Sequence, residues 1–528
     1  MRPETASMKS TEMNPGPEKT VRARRWLLPA GVAIILGVLI GGLILARHWP
    51  FSANNIVESI QEDWPGKIAV QHFQRTYFPH PGCILYRVVL TRGTATAGPP
   101  LVAIQRVTIQ ANYHDLLFRP GYVSRIILEG LKISVPANEE KGAEADASQK
   151  KGKSNNSSVR LGEVITRDAV LEVARKDDQP LRFDIHQLIL KSVSAKAAMT
   201  YDLAMRNPEP PGEIRSRGKL GPWDSDHLDN IPLNGKYTFT QVDLGVYDGI
   251  GGTLGAEGEF NGMLGNIETQ GTTEIPNFQV THAAHPVLLK TKFRALVDGT
   301  GGDTALRSVD GTFRHTAVHV EGTVASKAGL PGKTTTLSFA VHGGHIEDVL
   351  WLFVKENKPP MLGTTNFHGR MVWPSTEHPF LKRITLQGEF EIDHAQWENA
   401  ERRASLNDLS KRASGKKKDA PAEDVTANMK GSVTMTNAVA KLKDVSVAVP
   451  GAEATMNGTY GLENKKIDFH GNLKTDASLS KESNGAKAIL LKPLDPFFKR
   501  KNAGAVVPVE MSGTYDDPHF GFSITGSK

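Results

Sequence analysis

An uncharged apolar run near the N-terminus is the feature that most constrains how this chain can fold. Residues Trp26 to Ala46 read WLLPAGVAIILGVLIGGLILA, and no charged side chain interrupts them. A helix rises about 1.5 Å per residue, so a helix of this length crosses a hydrocarbon layer about 30 Å thick. Lys and Arg residues cluster between positions 19 and 25, and such an excess favours the cytoplasmic side. The sequence predicts a cytoplasmic tail (1–25), a transmembrane signal anchor (26–46) and nearly all remaining mass across the membrane.

A cleaved signal peptide is the alternative interpretation of the same run. The apolar stretch is longer than the usual core of a signal peptide, which spans about 7–15 residues. Its exit, Leu45-Ala46-Arg47, also lacks a small-x-small cleavage site. The sequence therefore favours an anchor that stays in the membrane.

Composition excludes several classes of protein. The chain has 528 residues, of which 39% are hydrophobic, so a single span does not make it a membrane-embedded bundle. The net charge of +6 comes largely from the tail and from Lys-rich loops, and no basic cluster is interleaved with aromatics as single-strand nucleic-acid binding requires. Cys83 is the only cysteine, which excludes an intramolecular disulfide and a Cys-rich metal site.

From Lys67 onwards the hydrophobic period is close to two residues, which is typical of strands. Phe293, Ala295 and Val297 alternate with Lys292 and Arg294, a pattern that predicts an antiparallel sheet with one apolar and one polar face. Such a sheet buries its apolar face by closing on itself, by packing on a second sheet, or by curling into a trough. The pattern alone favours a sandwich over a trough.

Helix and loop signals divide the chain. A helix is predicted near 345–356, where Ile346, Val349, Leu350 and Phe353 form one apolar stripe. Two charged stretches lack large apolar residues: 137–158, predicted to be a disordered loop, and 410–424, predicted to be a basic loop. The predicted division outside the membrane is an N-terminal segment (47–136), a central strand region (159–409) and a C-terminal β module (425–528).

Motifs for catalysis and cofactor binding are weak. Two histidine pairs, His282 with His285 and His342 with His345, have a spacing of three residues. On a strand this spacing points the two imidazole rings in different directions. Gly329 to Thr334 matches only the end of a phosphate loop, and a strand follows it. Neither a Gly-x-Ser-x-Gly elbow nor a framed carboxylate pair occurs. The sequence predicts no catalytic residue, no metal site and no cofactor.

Several turn-rich motifs resemble those of the AsmA-like family of bacterial envelope proteins (the AsmA/TamB type). The similarity extends over roughly residues 25–525. The motifs include Tyr77-Phe78-Pro79-x-Pro81-Gly82-Cys83, Ile126-x-Leu128-Glu129-Gly130-x-x-Ile133, Gly258-Glu-Phe260-x-Gly262, Lys358-Pro-Pro-Met361, Leu386-x-Gly388-x-Phe390, Leu491-Lys492-Pro493-Leu494-Asp495-Pro496-Phe497-Phe498 and Val507-Pro508-Val509.

This resemblance implies a mainly β fold, in which the transmembrane helix is followed by an elongated, curled antiparallel sheet, a β-groove, with a few short helices. It further implies a single-pass protein of the bacterial inner membrane, with its N-terminus in the cytoplasm and its bulk in the periplasm. The implied function is binding of lipid acyl chains and support of phospholipid transport and outer-membrane homeostasis. The implied partners are phospholipids, the inner membrane and other envelope proteins, without nucleic acid.

Strand parity assigns the residues that line the predicted groove. A groove of about 25 strands spaced by about 4.8 Å is at most about 120 Å long. The predicted lining residues are Phe293, Val297, Val318, Val320, Val445, Val447, Val449, Ile467 and Phe469. The alternative function is a periplasmic assembly factor or scaffold for outer-membrane proteins, which would dock partners by strand addition. An envelope hydrolase ranks third.

Overall fold

The computed structural model is mainly β. It describes residues 67–91, 100–118, 122–135, 160–174, 179–194, 196–224, 227–280, 285–327, 332–355, 357–375, 379–414, 424–476, 506–514 and 517–521. One large sheet of 23 strands accounts for most of these residues, and a few short helices lie at its edges. The prediction of a mainly β protein with few helices is confirmed.

The strands follow one another across the sheet in the order of the sequence. Each long strand pairs with its neighbour in the chain, and the two-residue strand β10 pairs only with β12. The strands are β1 Lys67–Thr76, β2 Gly82–Thr91, β3 Val102–Gln110, β4 Tyr122–Val135, β5 Arg160–Val173, β6 Leu181–Val193, β7 Met199–Pro208, β8 Pro211–Leu220, β9 Pro232–Asp243, β10 Ile250–Gly251, β11 Thr253–Met263, β12 Asn266–Val280, β13 Val287–Val297, β14 Thr304–Phe313, β15 Thr316–Ser326, β16 Lys333–His345, β17 Met361–Trp373, β18 Thr385–Trp397, β19 Ala427–Thr436, β20 Val439–Val449, β21 Ala452–Gly461, β22 Lys466–Thr475, β23 Val506–Thr514 and β24 Pro518–Gly521.

One pair of strands departs from the predicted antiparallel order. Strands β4 and β5 run parallel, with Leu128 opposite Thr166. A parallel pair requires the chain to return to the starting end of the sheet before the second strand begins. Residue periodicity carries no information on strand direction, so the sequence pattern did not predict this pair.

Four short α-helices occur among the described residues: α1 Tyr113–Phe118, α2 Ile346–Trp351, α3 Phe380–Arg383 and α4 Ala400–Ala413. Two short 3-10 helices, Leu228–Asn230 and Leu244–Val246, flank strand β9.

The helix predicted near 345–356 is shorter than expected. Helix α2 ends at Trp351 because the next backbone bonds, from Leu352 to Val349 and from Phe353 to Leu350, are of the tighter i→i−3 type. Phe353 is 63% exposed and does not join the apolar stripe of this helix.

The basic loop predicted at 410–424 has a predicted start that lies inside helix α4. Residues Ser410–Ala413 form the last turn of α4. The Asn399 side chain caps the start of this helix by accepting from the backbone N–H groups of Glu401 and Arg402 at 2.9 and 3.0 Å. The Ser410 hydroxyl then donates to the Pro450 carbonyl at 2.8 Å and fixes this turn against the sheet. The helix carries little apolar periodicity, so its sequence resembles that of a loop.

The sheet is strongly bent. We name the row of turns at which β9, β12, β14, β16 and β18 end rim A, and the opposite row of strand ends rim B. Register shifts interrupt many strand pairs between β9 and β21, for example between Leu306 and Val309 and between Leu442 and Val445. Such bulges bend strands and increase their twist.

A contact between the two rims demonstrates the curl. Asp248 lies on rim A beside β9, and Phe380 and Arg383 lie in α3 on rim B beside β17. Strands β9 and β17 are seven spacings apart, about 34 Å in a flat sheet. The Phe380 backbone N–H nevertheless donates to Asp248 Oδ2 at 3.0 Å, and Arg383 Nη2 lies 3.8 Å from the same oxygen. We call this contact the clasp.

The tightest packing lies at the N-terminal end of the sheet. Strands β2–β7 contribute one large cluster of buried side chains, among them Leu128 and Leu131, which are 0% and 2% exposed. Smaller clusters follow along rim A, such as that of Val242, Leu244 and Ile275. No second sheet covers the apolar face among the described strands, so the predicted preference for a sandwich is wrong.

Several sequence predictions fall outside the described residues. These are the tail (1–25), the anchor (26–46), the loop at 137–158 and positions 415–423 of the basic loop. Within the described ranges no helix has the length and apolar character needed to cross a membrane.

Candidate functional site

The apolar face of β9–β23 presents continuous rows of uncharged residues that cross the sheet. Directly opposed residues on paired strands lie on one face, so the strand register traces each row. One row, which we call the central row, runs through Tyr237, Gly258, Gly271, Phe293, Val309, Val320, Phe339, Gly369, Gly388, Val433, Leu442, Gly458, Phe469 and Met511. The adjacent row includes Ala295, Leu337 and Ile467. No member of the central row is charged.

The exposure of this face changes along the sheet. At the N-terminal end the equivalent residues are sealed, since Leu85 is 3% and Val107 7% exposed. From β13 to β22 the central row is only half-buried, as at Phe293, Val320 and Phe469. Apolar surface therefore remains accessible on the concave side of this part of the sheet.

Glycine and aromatic residues are paired on this face. A Cβ atom added to Gly369 would lie 3.0 Å from Cζ of Phe339, and one added to Gly388 would lie 3.0 Å from Cζ of Phe367. The rings therefore lie over the glycines of the next strand. The same arrangement recurs at Gly212 with Phe239, Gly235 with Phe260, Gly258 with Tyr237, Gly431 with Phe390, and Gly458 with Phe469.

These aromatic–glycine pairs determine the shape of the apolar face. A glycine on the concave side relieves crowding where strands curl, and the neighbouring ring covers the exposed backbone. Phe339 and Phe367 also stack on each other, with ring centroids 5.3 Å apart. The surface of this face is therefore made of flat rings, and few side chains protrude above them.

Polar groups on this face largely pair with one another. Tyr201 and Ser216 share a hydrogen bond of 3.0 Å, and Tyr237 and Thr269 share one of 3.3 Å. Burial raises the pKa of both tyrosines, and their hydrogen bonds oppose that shift only in part. Both hydroxyls therefore stay neutral at physiological pH, and the face offers no charged group to a ligand.

All nine predicted lining residues lie on the apolar face. Phe293 and Val320 belong to the central row and are joined through Val309. Val445, Val447 and Val449 follow one another on β20, opposite Met456, Ala454 and Ala452 of β21. The first group, on β13–β15, comprises Phe293, Val297, Val318 and Val320, whereas the second, on β20–β22, comprises Val445, Val447, Val449, Ile467 and Phe469.

The two groups lie on separate parts of the sheet, and Val349 of helix α2 packs in clusters with members of both. Five strand spacings, about 24 Å, separate β15 from β20. The rings between them, Phe339, Phe367 and Phe390, were not assigned as lining residues. A repeated Gly-x-aromatic or aromatic-x-Gly spacing marks them, as in Phe367-x-Gly369 and Gly388-x-Phe390, and this spacing could have identified them from the sequence.

Helix α2 closes rim A through a buried carboxylate, which we call the latch. The Asp348 side chain is 0% exposed and accepts from Arg314 Nε at 2.7 Å, from the His315 backbone N–H at 2.8 Å and from Thr316 Oγ1 at 3.0 Å. Burial raises the pKa of Asp348, but these hydrogen bonds together with the Arg314 charge outweigh burial and lower it. The carboxylate therefore stays ionised and ties α2 to the turn between β14 and β15.

Apolar contacts complete the closure at this rim. Ile346 packs against Ile392, Ala395 and Ala427 of strands β18 and β19. The Arg314 guanidinium also lies 5.0 Å above the ring of Trp351. The helix is thus fixed by charge on one side and by apolar packing on the other.

Other chemistry is sparse within the described residues. No group of three His, Cys, Asp or Glu side chains in these ranges converges to hold a metal ion. Cys83 is buried, and its burial raises the pKa of the thiol to about 12. The thiol is therefore protonated and unreactive at neutral pH.

Comparison with known proteins provides no relative. Protein-family models, curated proteins and solved structures all give no match to this chain.

Proposed function

We propose that this protein is a membrane-anchored periplasmic β-groove protein that binds lipid acyl chains and supports phospholipid transport between the envelope membranes. One observation carries the proposal: the central row forms an uncharged, half-exposed apolar surface across β13–β22, and among the described residues helices α2 and α4 cover this face only along rim A. Acyl chains need apolar area and no directional partners, which is what this face offers.

The geometry supports a chain-like ligand rather than a compact one. The central row from β9 to β23 crosses thirteen strand spacings, about 62 Å. The aromatic–glycine pairs keep the floor of this path low, and the clasp holds the two rims together. The anchor predicted at 26–46 and the resemblance to the AsmA-like family agree with the same function.

Photocrosslinking in cells tests this proposal with the full chain. Benzoylphenylalanine in place of Val320, on the apolar face, should crosslink phospholipid, detected by mass spectrometry of the purified adduct. The same replacement of Ala317, which is exposed on the polar face of the same strand, should yield none. Equal lipid adducts at both positions would contradict the proposal.

A charge inserted on the apolar face provides a second test. With the probe at position 320, Val318→Glu combined with Val447→Glu should abolish the lipid adduct, because a carboxylate in the path repels acyl chains. The matched control is Ala317→Glu with Thr434→Glu, two exposed positions on the polar face. Retained lipid in the apolar-face variant would exclude these residues from the binding surface.

A scaffold that docks a protein by strand addition is the second candidate. Strand β1 pairs only with β2 among the described strands, so its outer edge of ten residues is open to another strand. A protein adduct from a crosslinker on β1 that survives Val318→Glu with Val447→Glu would favour this function.

A further inference from the structure

A basic concavity lies on the polar face, opposite the proposed lipid path. It covers β8–β14 and has a volume of about 980 Å³. Its walls carry five cations: Arg217 and Lys219 on β8, Lys236 on β9, Arg294 on β13 and Arg307 on β14.

Strand alternation assigns this concavity to the polar face. Its lining includes Arg217 and Lys219, which flank Gly218, and Lys236, which follows Gly235. Gly218 and Gly235 oppose each other in a row of the apolar face. The side chains of their neighbours therefore point to the other side, while the glycines contribute backbone to the floor.

Most of these cations have no acidic partner. Arg217 pairs with Asp202 at 2.9 Å. Within the described part of the chain, Lys219, Lys236, Arg294 and Arg307 make no hydrogen bond or ion pair through their side chains. Lys236 stands between Arg217 on β8 and Glu259 on β11, so one of its two directly opposed neighbours is a like charge. A bound anion would supply a partner to Lys219, Arg294 and Arg307, which have none among the described residues.

The cations form two walls with a hydrogen-bonding floor between them. Lys236 and Arg294 are three strand spacings apart, about 14 Å between backbones. Between the walls lie Glu259, whose carboxylate accepts from Gln270 Nε2 at 2.8 Å, and the side chains of Asn261 and Glu268. Carboxylates and amides suit hydroxyl groups, whereas the two walls suit anionic groups at separate ends of one molecule.

We propose that the basic concavity binds a sugar that carries a phosphate group at each end, either as a soluble metabolite or as the headgroup of a glycolipid. Each wall takes one phosphate, and the floor accepts hydrogen bonds from the sugar hydroxyls. This site is independent of the acyl-chain path, because the two lie on opposite faces of the sheet.

Isothermal titration calorimetry of the full-length protein in detergent tests the proposal. The probes are trehalose that carries one phosphate on each glucose, unmodified trehalose, and a disaccharide lipid with the same two phosphates. We expect saturable binding of both phosphorylated probes and none of trehalose. Tighter binding of the lipid probe that is lost in the Lys236→Gln with Arg294→Gln protein would identify a headgroup as the ligand, and equal affinity of the two phosphorylated probes would identify a soluble sugar.

Variants separate the site from general surface charge. Lys236→Gln with Arg294→Gln removes one cation from each wall and should weaken binding about tenfold or more, that is, by about 1.4 kcal/mol per tenfold. Lys430→Gln with Lys441→Gln makes the same change of charge at exposed positions of β19 and β20 on the same face, and should leave affinity within about twofold. Thermal unfolding of both variants checks the fold.

Three results would overturn the proposal. They are the absence of binding to both phosphorylated probes, equal binding of trehalose, and an equal loss in the control pair. None of these results bears on lipid crosslinking at Val320, so the acyl-chain function is tested separately.

Discussion

Replacing Asp348 by Asn should release helix α2 from the sheet. The buried carboxylate accepts three hydrogen bonds, one of them from the Arg314 guanidinium. Removing one partner of a buried charged pair costs about 3–5 kcal/mol. The Arg314 side chain is 38% exposed, so water recovers part of its solvation and the expected loss is about 3 kcal/mol.

Hydrogen–deuterium exchange is the suitable assay because a long meander of strands does not unfold in one cooperative step. At 1.4 kcal/mol per tenfold, a loss of about 3 kcal/mol corresponds to exchange about a hundredfold faster in peptides that cover α2 and the β14–β15 turn. The control is Asp310→Asn, an exposed acid in the same hairpin that pairs with His319 at 2.7 Å. It should change exchange by about threefold or less.

Two results would refute this reasoning: less than threefold faster exchange in the Asp348→Asn protein, or equal acceleration in the control. The latch also has a defined dependence on pH. Its folded pKa is lowered, so its contribution is present above the unfolded pKa and disappears as pH falls through the folded pKa. Wild-type exchange at α2, corrected for the intrinsic rate, should therefore approach that of Asp348→Asn only below the ordinary pKa of an aspartate.

Two further predictions concern the apolar face. Gly388→Ala should destabilise the sheet by about 1–3 kcal/mol, because the new Cβ would lie 2.8 Å from the His368 carbonyl oxygen and 3.0 Å from the Phe367 ring, whereas Gly255→Ala, where the nearest atom lies at 3.9 Å, should be tolerated; similar denaturation midpoints would contradict this. Asp248→Ala should open the clasp and speed lipid exchange, because Asp248 Oδ2 accepts from the Phe380 backbone N–H at 3.0 Å and lies 3.8 Å from Arg383 Nη2; an exchange rate equal to that of the wild type would exclude the clasp from control of access.

Local alternation was sufficient to place the predicted lining residues on one face. Phe293 and Val297 follow a strict period of two, because the register shift between β13 and β14 at Arg294 and Ala295 places its extra residue on β14. The Val445–Val449 run was placed equally well because the bulge of β20 lies just before it. Parity within one strand is a local property, and the sequence carries it directly.

Features that depend on contacts between distant segments could not be predicted from the sequence. The clasp joins Asp248 to Phe380, 132 positions later, through an exposed turn with no apolar pattern. Burial of Asp348 depends on the turn between β14 and β15, more than thirty positions earlier. Helix α4 was missed because caps and backbone bonds, rather than an apolar stripe, define it.

The succession of hairpins from β11 to β23 gives the molecule a modular length. Each strand touches mainly the strands before and after it in the chain, so the energetics are close to one-dimensional. One more hairpin would extend the sheet by about 10 Å and leave the register of its neighbours unchanged. Sheets of different length can therefore arise by duplication or loss of single hairpins, and the number of hairpins sets the length of the sheet.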